Sequence, residues 1–491
     1  MFLFFHVFLV KDTNLQFVLA VVYYLLYNVF WKRSVYTMSV MKAVILAAGA
    51  GTRMKSDQPK VIHKVLDRTM LDYVIEAAYE AGASEICVIV GHGRDEVMYT
   101  MKHPVSFVVQ EEQLGTGHAV MQAQEFIQGG GNVLVLFGDT PLITGESLSK
   151  LKTSHEEGRH GVTVLTTRVD DPTGYGRIIR DEQGHFLKSV EHKDANQDER
   201  KVNEINSGMY MFKAEALSKA LGQITNDNVQ GEYYLPDTLS FIRNDGYPVE
   251  AMELDDYTET LGVNNKVQLF EATSIMRKRI NYKHMESGVT MVDANQVYIG
   301  KDVIVEADVI IYPGTSIEGK SIIKAGTCIG PNSKVIDSVI ESNATIEQST
   351  VLNSHIGEHT TVGPYAYIRP NSEIGSHVKV GDFVEIKNAT IGDRTKISHL
   401  TYVGDADVGK SVNFGCGTVT VNYDGVNKHR TTIKDHAFIG CNTNLVSPVT
   451  IEENAYTAAG STITKNVPHD ALGIARTRQE NKIDWVKKKR H

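Results

Sequence analysis

This 491-residue sequence is poor in cysteine, with only Cys87, Cys328, Cys416 and Cys441, and no two of them form a CxxC pair. Few and widely spaced cysteines indicate a protein of a reducing compartment and argue against a structural zinc site. The sequence also lacks an excess of basic residues, since its net charge at pH 7 is -9. This balance argues against a general nucleic-acid binder, because phosphate neutralisation needs a basic surface.

One apolar run of near-membrane length lies close to the start of the chain. It extends from Leu15 to Trp31 and is followed by Lys32 and Arg33. This pattern fits a membrane anchor whose C-terminal side faces the cytoplasm. A signal segment is a second alternative, and upstream translation without a functional role is a third. We expect the third, with a cytoplasmic protein starting at Met38 or Met41 and residues 1–40 outside the functional enzyme.

An aliphatic residue returns at every sixth position in the last third of the chain. This period is neither helical nor simple strand alternation. It suits a coil with three flat faces, in which every sixth side chain points to the axis. The sequence therefore predicts a parallel β-helix, and two unbroken ladders carry the pattern: Ile299, Val305, Ile311, Ile317, Ile323, Ile329 and Val335, then Ile356, Val362, Ile368, Ile374, Val380 and Ile386.

The preceding part of the chain alternates between apolar runs and helix-like segments. Runs such as KAVILA, EICVIV and NVLVLFGD are separated by segments such as LDYVIEAAYEAG. This alternation predicts a doubly wound, mostly parallel sheet, which binds ligands at the carboxyl ends of its strands. The predicted domains are the leader at 1–40, a nucleotide-binding domain at 41–266, a linking helix at 267–287 and the β-helix at 288–491.

A glycine-rich loop, LAAGAGTRM, follows the first predicted strand. Gly49 and Gly51 permit a tight turn whose exposed N–H groups suit phosphate oxygens, and Arg53 adds a cation. The loop lacks both the GxGxxG order of a dinucleotide site and the GKS or GKT ending of a P-loop. Pro59 and Lys60 follow shortly afterwards. By itself, the loop is also compatible with a plain strand-to-helix connection.

In combination, these features resemble the sugar-nucleotidyltransferase family. The chain continues with QEEQLGTGHA, FGDTPL, PTGYGRI, VEHKDA, EINSGMY, QGEYYLPD and GVNN. With the β-helix behind them, from about Met41 to Arg478, they resemble the bifunctional N-acetylglucosamine-1-phosphate uridyltransferase and glucosamine-1-phosphate acetyltransferase family. The resemblance implies an α/β doubly wound, Rossmann-like nucleotidyltransferase domain, a linking helix and a left-handed parallel β-helix of hexapeptide repeats.

The resemblance also implies a site for nucleotidyl transfer from UTP. Such a site neutralises charge and positions the attacking sugar phosphate in line. Asp139 and Asn264 would hold Mg²⁺, and Arg53 and Lys60 would act as catalytic cations on the triphosphate. The implied UTP and UDP-sugar contacts are Leu46, Ala47, Ala48, Gly49, Lys60, Gln110, Gly115, Thr116, Gly176, Glu191, Asn206 and Asn264.

Two positions in this half differ from many members of the family. Ala50 and Phe137 stand where many relatives carry lysine and tyrosine. We expect the reaction class to survive both changes.

In the β-helix, the hexad rhythm slips near Ile391 and is interrupted from about Gly417 to Thr432. Insertions in a solenoid map to loops on one face, often the binding face. Arg369 and Lys387 are eighteen residues apart, one full turn of a three-sided coil, so we expect them to stack on one wall. Paired cations suit a sugar phosphate.

Resemblance to the hexapeptide acyltransferases implies that His399 is the general base for acetyl transfer and that Glu385 orients it. We expect Cys416 and Cys441, where relatives often carry alanine and serine, to be small buried packing residues rather than nucleophiles. The implied sugar-phosphate contacts are Arg369, Lys387, Tyr402, Asn413 and Asn422, and the implied acetyl-CoA contacts are Cys416, Tyr423, Cys441, Ala459 and Arg476.

The resemblance thus implies a cytoplasmic, homotrimeric enzyme that makes UDP-N-acetylglucosamine for peptidoglycan, teichoic acid or lipopolysaccharide precursors. Its implied partners are small molecules, namely glucosamine-1-phosphate, N-acetylglucosamine-1-phosphate, UTP and acetyl-CoA, with Mg²⁺ as cofactor. Neither nucleic acid nor, unless the leader is retained, a membrane is expected. The alternatives are a monofunctional nucleotidyltransferase with a structural β-helix and an inactive trimerisation scaffold. The second site argues against the former, and Lys60, Asp139 and Asn264 argue against the latter.

Overall fold

The computed structural model describes residues 40–490. They form two compact units. The first comprises the chain up to His63 together with Thr69–Ala272, and the second comprises Lys64–Arg68 together with Thr273–His491. No helix within the described residues is long and apolar enough to cross a membrane. The apolar run from Leu15 to Trp31 lies outside these residues, so the expectation that residues 1–40 are not part of the functional enzyme remains a prediction, as do the domain boundaries.

The first unit alternates strands and helices. Its helices are α1 Met70–Glu80, α2 Arg94–Thr100, α3 Thr116–Gln122, α4 Gln124–Ile127, α5 Gly145–Glu157, α6 Ala214–Leu221 and α7 Asp237–Asn244. Short 3-10 helices span Thr52–Met54, Lys60–Ile62, Glu199–Lys201 and Tyr257–Thr260. The strands up to this point of the chain are β1 Met41–Ala47, β2 Lys64–Val65, β3 Arg68–Thr69, β4 Glu85–Val90, β5 Ser106–Val109, β6 Asn132–Phe137, β7 Val162–Arg168, β8 Arg177–Arg180, β9 Phe186–Val190, β10 Glu204–Lys213 and β11 Val249–Glu253.

The main sheet has the order β11-β7-β10-β6-β1-β4-β5, with β8 and β9 joined to β10. The pairs among β6, β1, β4 and β5 are parallel, whereas β10 runs antiparallel to β6 and β7. Strand β1 is buried along nearly its whole length, as expected for a parallel strand covered on both faces. Helix α1 begins with a capping box between Thr69 and Asp72. The arrangement brings the carboxyl ends of β6, β1 and β5 to one edge.

Helix α8 spans Lys266–Glu286, and its residues from Thr273 onwards belong to the second unit. Within that unit, the buried Asn281 amide donates to the carbonyls of Ala294 and Val297 at 2.8 and 2.9 Å. A 3-10 helix, Ala294–Gln296, leads into the coils, and helix α9, Trp485–Lys489, follows them.

Short strands make up the coils. They are β12 Thr290–Met291, β13 Val297–Ile299, β14 Ile304–Val305, β15 Ile310–Ile311, β16 Thr315–Glu318, β17 Ile322–Ile323, β18 Cys328–Ile329, β19 Lys334–Ile336, β20 Val339–Ile340, β21 Thr345–Ile346, β22 Thr350–Leu352, β23 Ser354–Ile356, β24 Thr361–Val362, β25 Tyr367–Ile368, β26 Ser372–Ile374, β27 Lys379–Asp382, β28 Glu385–Ile391, β29 Lys396–His399, β30 Tyr402–Val408, β31 Asn413–Phe414, β32 Val419–Val421, β33 Thr431–Ile433, β34 Phe438–Ile439, β35 Asn444–Val446, β36 Val449–Ile451, β37 Tyr456–Thr457, β38 Thr462–Ile463 and β39 Leu472–Gly473.

Each strand pairs in parallel with the strand one coil further along, which gives three walls. Wall 1 includes β27, β29, β31, β34 and β37. Wall 2 includes β25 and the first residues of β28 and β30, and wall 3 includes β26 and the last residues of those same two strands. The predicted aliphatic side chains, such as Ile311, Ile329 and Ile368, are fully buried in one continuous core. The predicted parallel β-helix is confirmed.

The coil repeat varies where the sequence ladder breaks. Val305 pairs with Ile323, eighteen residues on, but Ile323 pairs with Ile340 after seventeen. The interruption predicted from Gly417 to Thr432 is shorter in the structure. Val419 still pairs with Tyr402, and Thr431 already pairs with Ala406. The inserted loop is therefore 422–430, because the residues on either side keep their places in the walls.

Candidate active sites

The first site lies at the shared carboxyl edge of β6, β1 and β5. Main-chain hydrogen bonds hold its segments together, from Gly138 N to Leu46 O at 2.9 Å and from Gln110 N to Val90 O at 2.8 Å. Val263 N donates to Asp139 O at 2.9 Å, which places Asn264 beside that aspartate although it is far away in sequence. The edge therefore gathers distant motifs into one place.

Four of the predicted polar residues form one cluster at this edge. Lys60 Nζ is bonded to Asp139 Oδ2 and lies 3.1 Å from Asn264 Oδ1. Arg53 donates to the same Asn264 oxygen at 2.9 Å. The Lys60 and Asp139 side chains are each only 15% exposed, so their interaction is weakly screened. A carboxylate oxygen and an amide oxygen thus converge on one cation position.

A pocket of about 280 Å³ opens next to the cluster. Gln110 is almost fully buried at its wall, and its amide donates to Gly115 O at 3.2 Å. Gly115 has a φ of 107°, and a Cβ there would lie 2.6 Å from Tyr233 O, so this close approach requires glycine. The predicted residues lining the pocket are Leu46, Ala47, Ala48, Gly49, Lys60, Gln110, Gly115, Thr116 and Asp139.

The predicted sugar contacts form a neighbouring group in the same unit. Asn206 N donates to Gly176 O at 2.9 Å, and a Cβ on Gly176 would lie 3.3 Å from a Glu191 carboxylate oxygen. The Asn206 amide donates to Tyr210 Oη at 2.8 Å. Burial raises the pKa of Glu191, and the nearby Asp194 carboxylate adds to this. These three residues do not line the 280 Å³ pocket itself.

The second site lies on wall 2 and on the edge that joins it to wall 1. Tyr367 pairs with Glu385 and Ile368 with Ile386, so Arg369 and Lys387 occupy consecutive coils of wall 2, as the sequence predicted. The inserted loop places Lys428 against Lys387. Its ammonium group lowers the pKa of Lys387. The cationic cluster therefore has a third member, which sequence spacing missed because it lies outside the hexads.

His399 ends β29 at this edge, and Tyr402 begins β30 just beyond it. His399 Nδ1 lies 2.7 Å from Asp382 Oδ1, and these two residues pair in register across consecutive coils. The expectation that Glu385 orients His399 is wrong. Glu385 instead accepts a hydrogen bond from Arg369 at 2.7 Å. Glu385 lies on wall 2, whereas Asp382 stacks beneath His399. The interval of 17 residues between Asp382 and His399, about one coil, was the signal in the sequence that could have identified this pair.

Tyr402 reaches the inserted loop through a polar network. Its hydroxyl lies 3.4 Å from the Asn422 amide nitrogen, and that amide is also bonded to the buried Asp405. A Cβ on Gly404 would lie only 2.2 Å from the Tyr402 hydroxyl oxygen. The glycine therefore makes room for the phenol. Asn413 lies on wall 1, where it pairs with Lys396, and is not part of this network.

The predicted acetyl-CoA residues follow the same edge into later coils. Asn442 N donates to Cys416 O at 2.7 Å and Gly460 N donates to Cys441 O at 2.8 Å, so Cys416, Cys441 and Ala459 occupy consecutive coils. Arg476 approaches Gly460, whose Cβ position lies 3.7 Å from Arg476 Cδ. The prediction of buried packing cysteines is wrong, because Cys416 is half-buried and Cys441 is exposed at the corner. Tyr423 lies in the inserted loop.

Comparisons with known proteins find relatives for both halves of the chain. Residues 42–277 match the nucleotidyl transferase family model, and residues 353–388 match the bacterial transferase hexapeptide model. The bifunctional protein GlmU of Clostridium acetobutylicum is 52% identical to this chain, and the alignment covers 91% of this chain and 98% of the relative. The chain belongs to the GlmU family. GlmU of Alkaliphilus metalliredigens is 51% identical and that of Clostridium novyi 53%, each with the same two coverages.

One solved structure aligns with about half of the chain. UDP-glucose pyrophosphorylase complexed with UDP-glucose aligns with 49% of this chain and 99% of its own, at 19% identity and a TM-score of 0.41. That similarity is too low to support an argument.

Membership of the GlmU family confirms the predicted bifunctional transferase over the two alternatives, a monofunctional enzyme and a scaffold. The chain joins a Rossmann-like nucleotidyltransferase to a left-handed β-helix of hexapeptide repeats, and it uses UTP and acetyl-CoA in UDP-N-acetylglucosamine synthesis. Sequence reasoning assigned no role to Gln113 and Glu232, which line the first pocket and lie within the motifs QEEQLGTGHA and QGEYYLPD. Phe137 also lines it.

Proposed function

We propose that the β-helix unit transfers the acetyl group of acetyl-CoA to glucosamine-1-phosphate, and that the first unit then transfers the uridylyl group of UTP to N-acetylglucosamine-1-phosphate. The observation that carries the proposal is the placement of His399 and its Asp382 partner beside Arg369 and Lys387. A base next to a cationic wall suits an amino sugar that bears a phosphate.

In acetyl transfer, His399 would take the proton from the substrate amine as nitrogen attacks the thioester carbon. The Asp382 carboxylate at 2.7 Å fixes the ring and offsets its developing positive charge. The hydrogen bond to His399 holds the pKa of Asp382 below its usual range, so this carboxylate stays ionised at neutral pH. Arg369, Lys387, Tyr402 and Asn422 would bind the sugar phosphate, with Asn413 approaching from wall 1.

In uridylyl transfer, Arg53 and Lys60 would neutralise the triphosphate while Gln110, Gly115 and Thr116 read the uracil edge. Gly176, Glu191 and Asn206 would hold the sugar. Mg²⁺ fits Asp139 and Asn264, because their side-chain oxygens already meet the same ammonium group of Lys60. Two protein oxygens are enough for this ion, which usually keeps substrate phosphates and waters as its other ligands. When bound, it would neutralise charge on the phosphates.

We further propose a homotrimer in which neighbouring β-helices meet beside His399. Three exposed apolar side chains, Tyr365, Phe383 and Leu400, follow the same edge at 55%, 58% and 60% exposure. The rings of Tyr365 and Phe383 stack with centroids 5.5 Å apart. Exposed apolar columns of this kind are typical of protein interfaces. We place the enzyme in the cytoplasm, because UTP and acetyl-CoA are cytoplasmic metabolites.

The experiment is to separate the two activities by mutation. Asp139→Ala should abolish UDP-sugar formation and spare acetyl transfer, because its carboxylate belongs only to the first site. His399→Ala should do the reverse. Both activities are measured on each folded variant with purified substrates, and circular dichroism serves as the control for folding. Loss of both activities from either folded variant would refute the assignment of one site to each reaction.

A further inference from the structure

The four cysteines all lie within the described residues and are free thiols, and two of them share one edge of the β-helix. Phe414 pairs in register with Ile439, and Asn442 N donates to Cys416 O at 2.7 Å. This register places Cys441 one coil directly beyond Cys416. Cys87 is buried in the first unit and Cys328 belongs to a distant coil, so neither joins this pair.

The spacing of the coils suits a bond between the two sulfur atoms. Paired strands lie about 4.8 Å apart, and the Cα atoms of a disulfide lie about 4.4–6.8 Å apart. The backbones are in direct contact here, because a Cβ on Gly415 would lie 2.4 Å from Cys441 N. Cys441 is exposed and Cys416 is half-buried. The exposed Cys441 thiol can therefore react with an oxidant, and the neighbouring Cys416 thiol can then attack the oxidised sulfur to form a disulfide.

The pair also lies close to the second active site along the same edge. Asp382 and His399 occupy the two preceding coils, and Leu400 O accepts the hydrogen bond from Gly417 N next to Cys416. Ala459 follows Cys441 in the next coil. Under the proposed function, the thioester arm of acetyl-CoA must pass along this edge to reach His399.

We propose that Cys416 and Cys441 are a redox modification site at which a peroxide forms a disulfide and thereby stops acetyl transfer. The Cys441 thiolate attacks one peroxide oxygen, the O–O bond breaks, and hydroxide leaves and takes a proton to become water. The Cys416 thiolate then attacks the sulfur of the Cys441 sulfenic acid and expels hydroxide, which takes up the proton that the Cys416 thiol lost and becomes a second water. Overall, two thiols and one hydrogen peroxide give one disulfide and two waters.

The effect on activity rests on the proposed acetyl-CoA position, whereas disulfide formation does not. The disulfide would join adjacent coils across the edge that the thioester arm must follow. We therefore expect acetyl transfer to fall about tenfold or more. Uridylyl transfer should stay unchanged, because its cluster lies in the first unit, and a dithiol reductant should restore acetyl transfer.

The test treats the full-length protein with hydrogen peroxide, removes the excess and measures intact mass, a non-reducing peptide map and both activities. We expect a loss of two hydrogen atoms and a linked Cys416–Cys441 peptide. Cys416→Ala and Cys441→Ser should form no linked peptide and should keep their own untreated acetyl-transfer rates after peroxide. Cys328→Ser is the matched control and should behave as the unmodified protein does in every measurement.

Several results would overturn the proposal. One is the absence of a linked Cys416–Cys441 peptide, with the thiols either unchanged or oxidised beyond the sulfenic acid. Another is equal inactivation of Cys441→Ser and the unmodified protein. A linked peptide without any fall in acetyl transfer would also contradict it. Failure of the proposed function is distinguishable, because the untreated protein would then lack acetyl transfer while the mass measurement still reports on the disulfide.

Discussion

Substitution of Gly404 by alanine tests whether the position of the Tyr402 hydroxyl controls acetyl transfer. The added Cβ would lie 2.2 Å from that oxygen, whereas ordinary contacts begin at 3.4 Å. The phenol must therefore move by more than 1 Å, and it loses its 3.4 Å approach to Asn422. A misplacement of about 1 Å in an active site can cost about 100-fold in rate. We expect kcat/KM for glucosamine-1-phosphate to fall about 10- to 100-fold, or about 1.4 to 2.7 kcal/mol in the barrier.

The assay measures acetyl transfer by release of free coenzyme A thiol, with uridylyl transfer followed on the same preparation. Uridylyl transfer and the melting temperature should change little, because the Tyr402 side chain is only half-buried and lies outside the aliphatic core. Gly222→Ala is the matched control, since its nearest contact would be an ordinary 3.5 Å. Unchanged kcat/KM in Gly404→Ala would show that the Tyr402 hydroxyl does not position the sugar phosphate.

Three further predictions follow. Asp382→Asn should lower kcat for acetyl transfer about tenfold with little change in KM. Glu385→Gln should mainly raise KM, because Glu385 contacts Arg369. A fall of kcat in Glu385→Gln but not in Asp382→Asn would show instead that Glu385 orients His399. Phe383→Asp should dissociate the trimer in light scattering and lower acetyl transfer but not uridylyl transfer; an unchanged mass would refute the proposed interface. Burial lowers the pKa of His155 to about 3, whereas the same side chain in the unfolded chain is protonated below about pH 6.5. The free energy of unfolding therefore keeps the full contribution of neutral His155 above that pH and loses it as pH falls towards 3. His155→Gln should weaken this pH dependence of the free energy of unfolding, measured by urea unfolding.

Much of the fold was readable in the sequence because it depends on local patterns. The hexad ladder predicted the β-helix, and the eighteen-residue interval between Arg369 and Lys387 predicted their stacking, since each coil of three faces repeats its own register. The apolar runs before LAAGAGTRM and FGDTPL likewise predicted strand ends at one edge of a parallel sheet, and the family resemblance implied the shared site of Arg53, Lys60 and Asp139.

Other features could not be read because they depend on which segments meet. The inserted loop was predicted to be too long, since Val419 and Thr431 break the aliphatic rhythm while keeping their hydrogen bonds in the walls. Lys428 belongs to that loop and joins Lys387 only when the loop folds back. The exposure of Cys416 and Cys441 was missed because a small residue beside a hexad gives no sign of whether a corner turns it inward or outward.

By itself, then, the sequence determined the two architectures, the order of the motifs and the residue types available for each reaction. Only the tertiary structure decided the pairings: Asp382 rather than Glu385 with His399, Lys60 between Asp139 and Asn264, and one cysteine above the other. The physical reason is that periodicity fixes which face a side chain occupies. Its partner is set by the register between coils and by loops that cross between strand ends, and these depend on the folded chain as a whole.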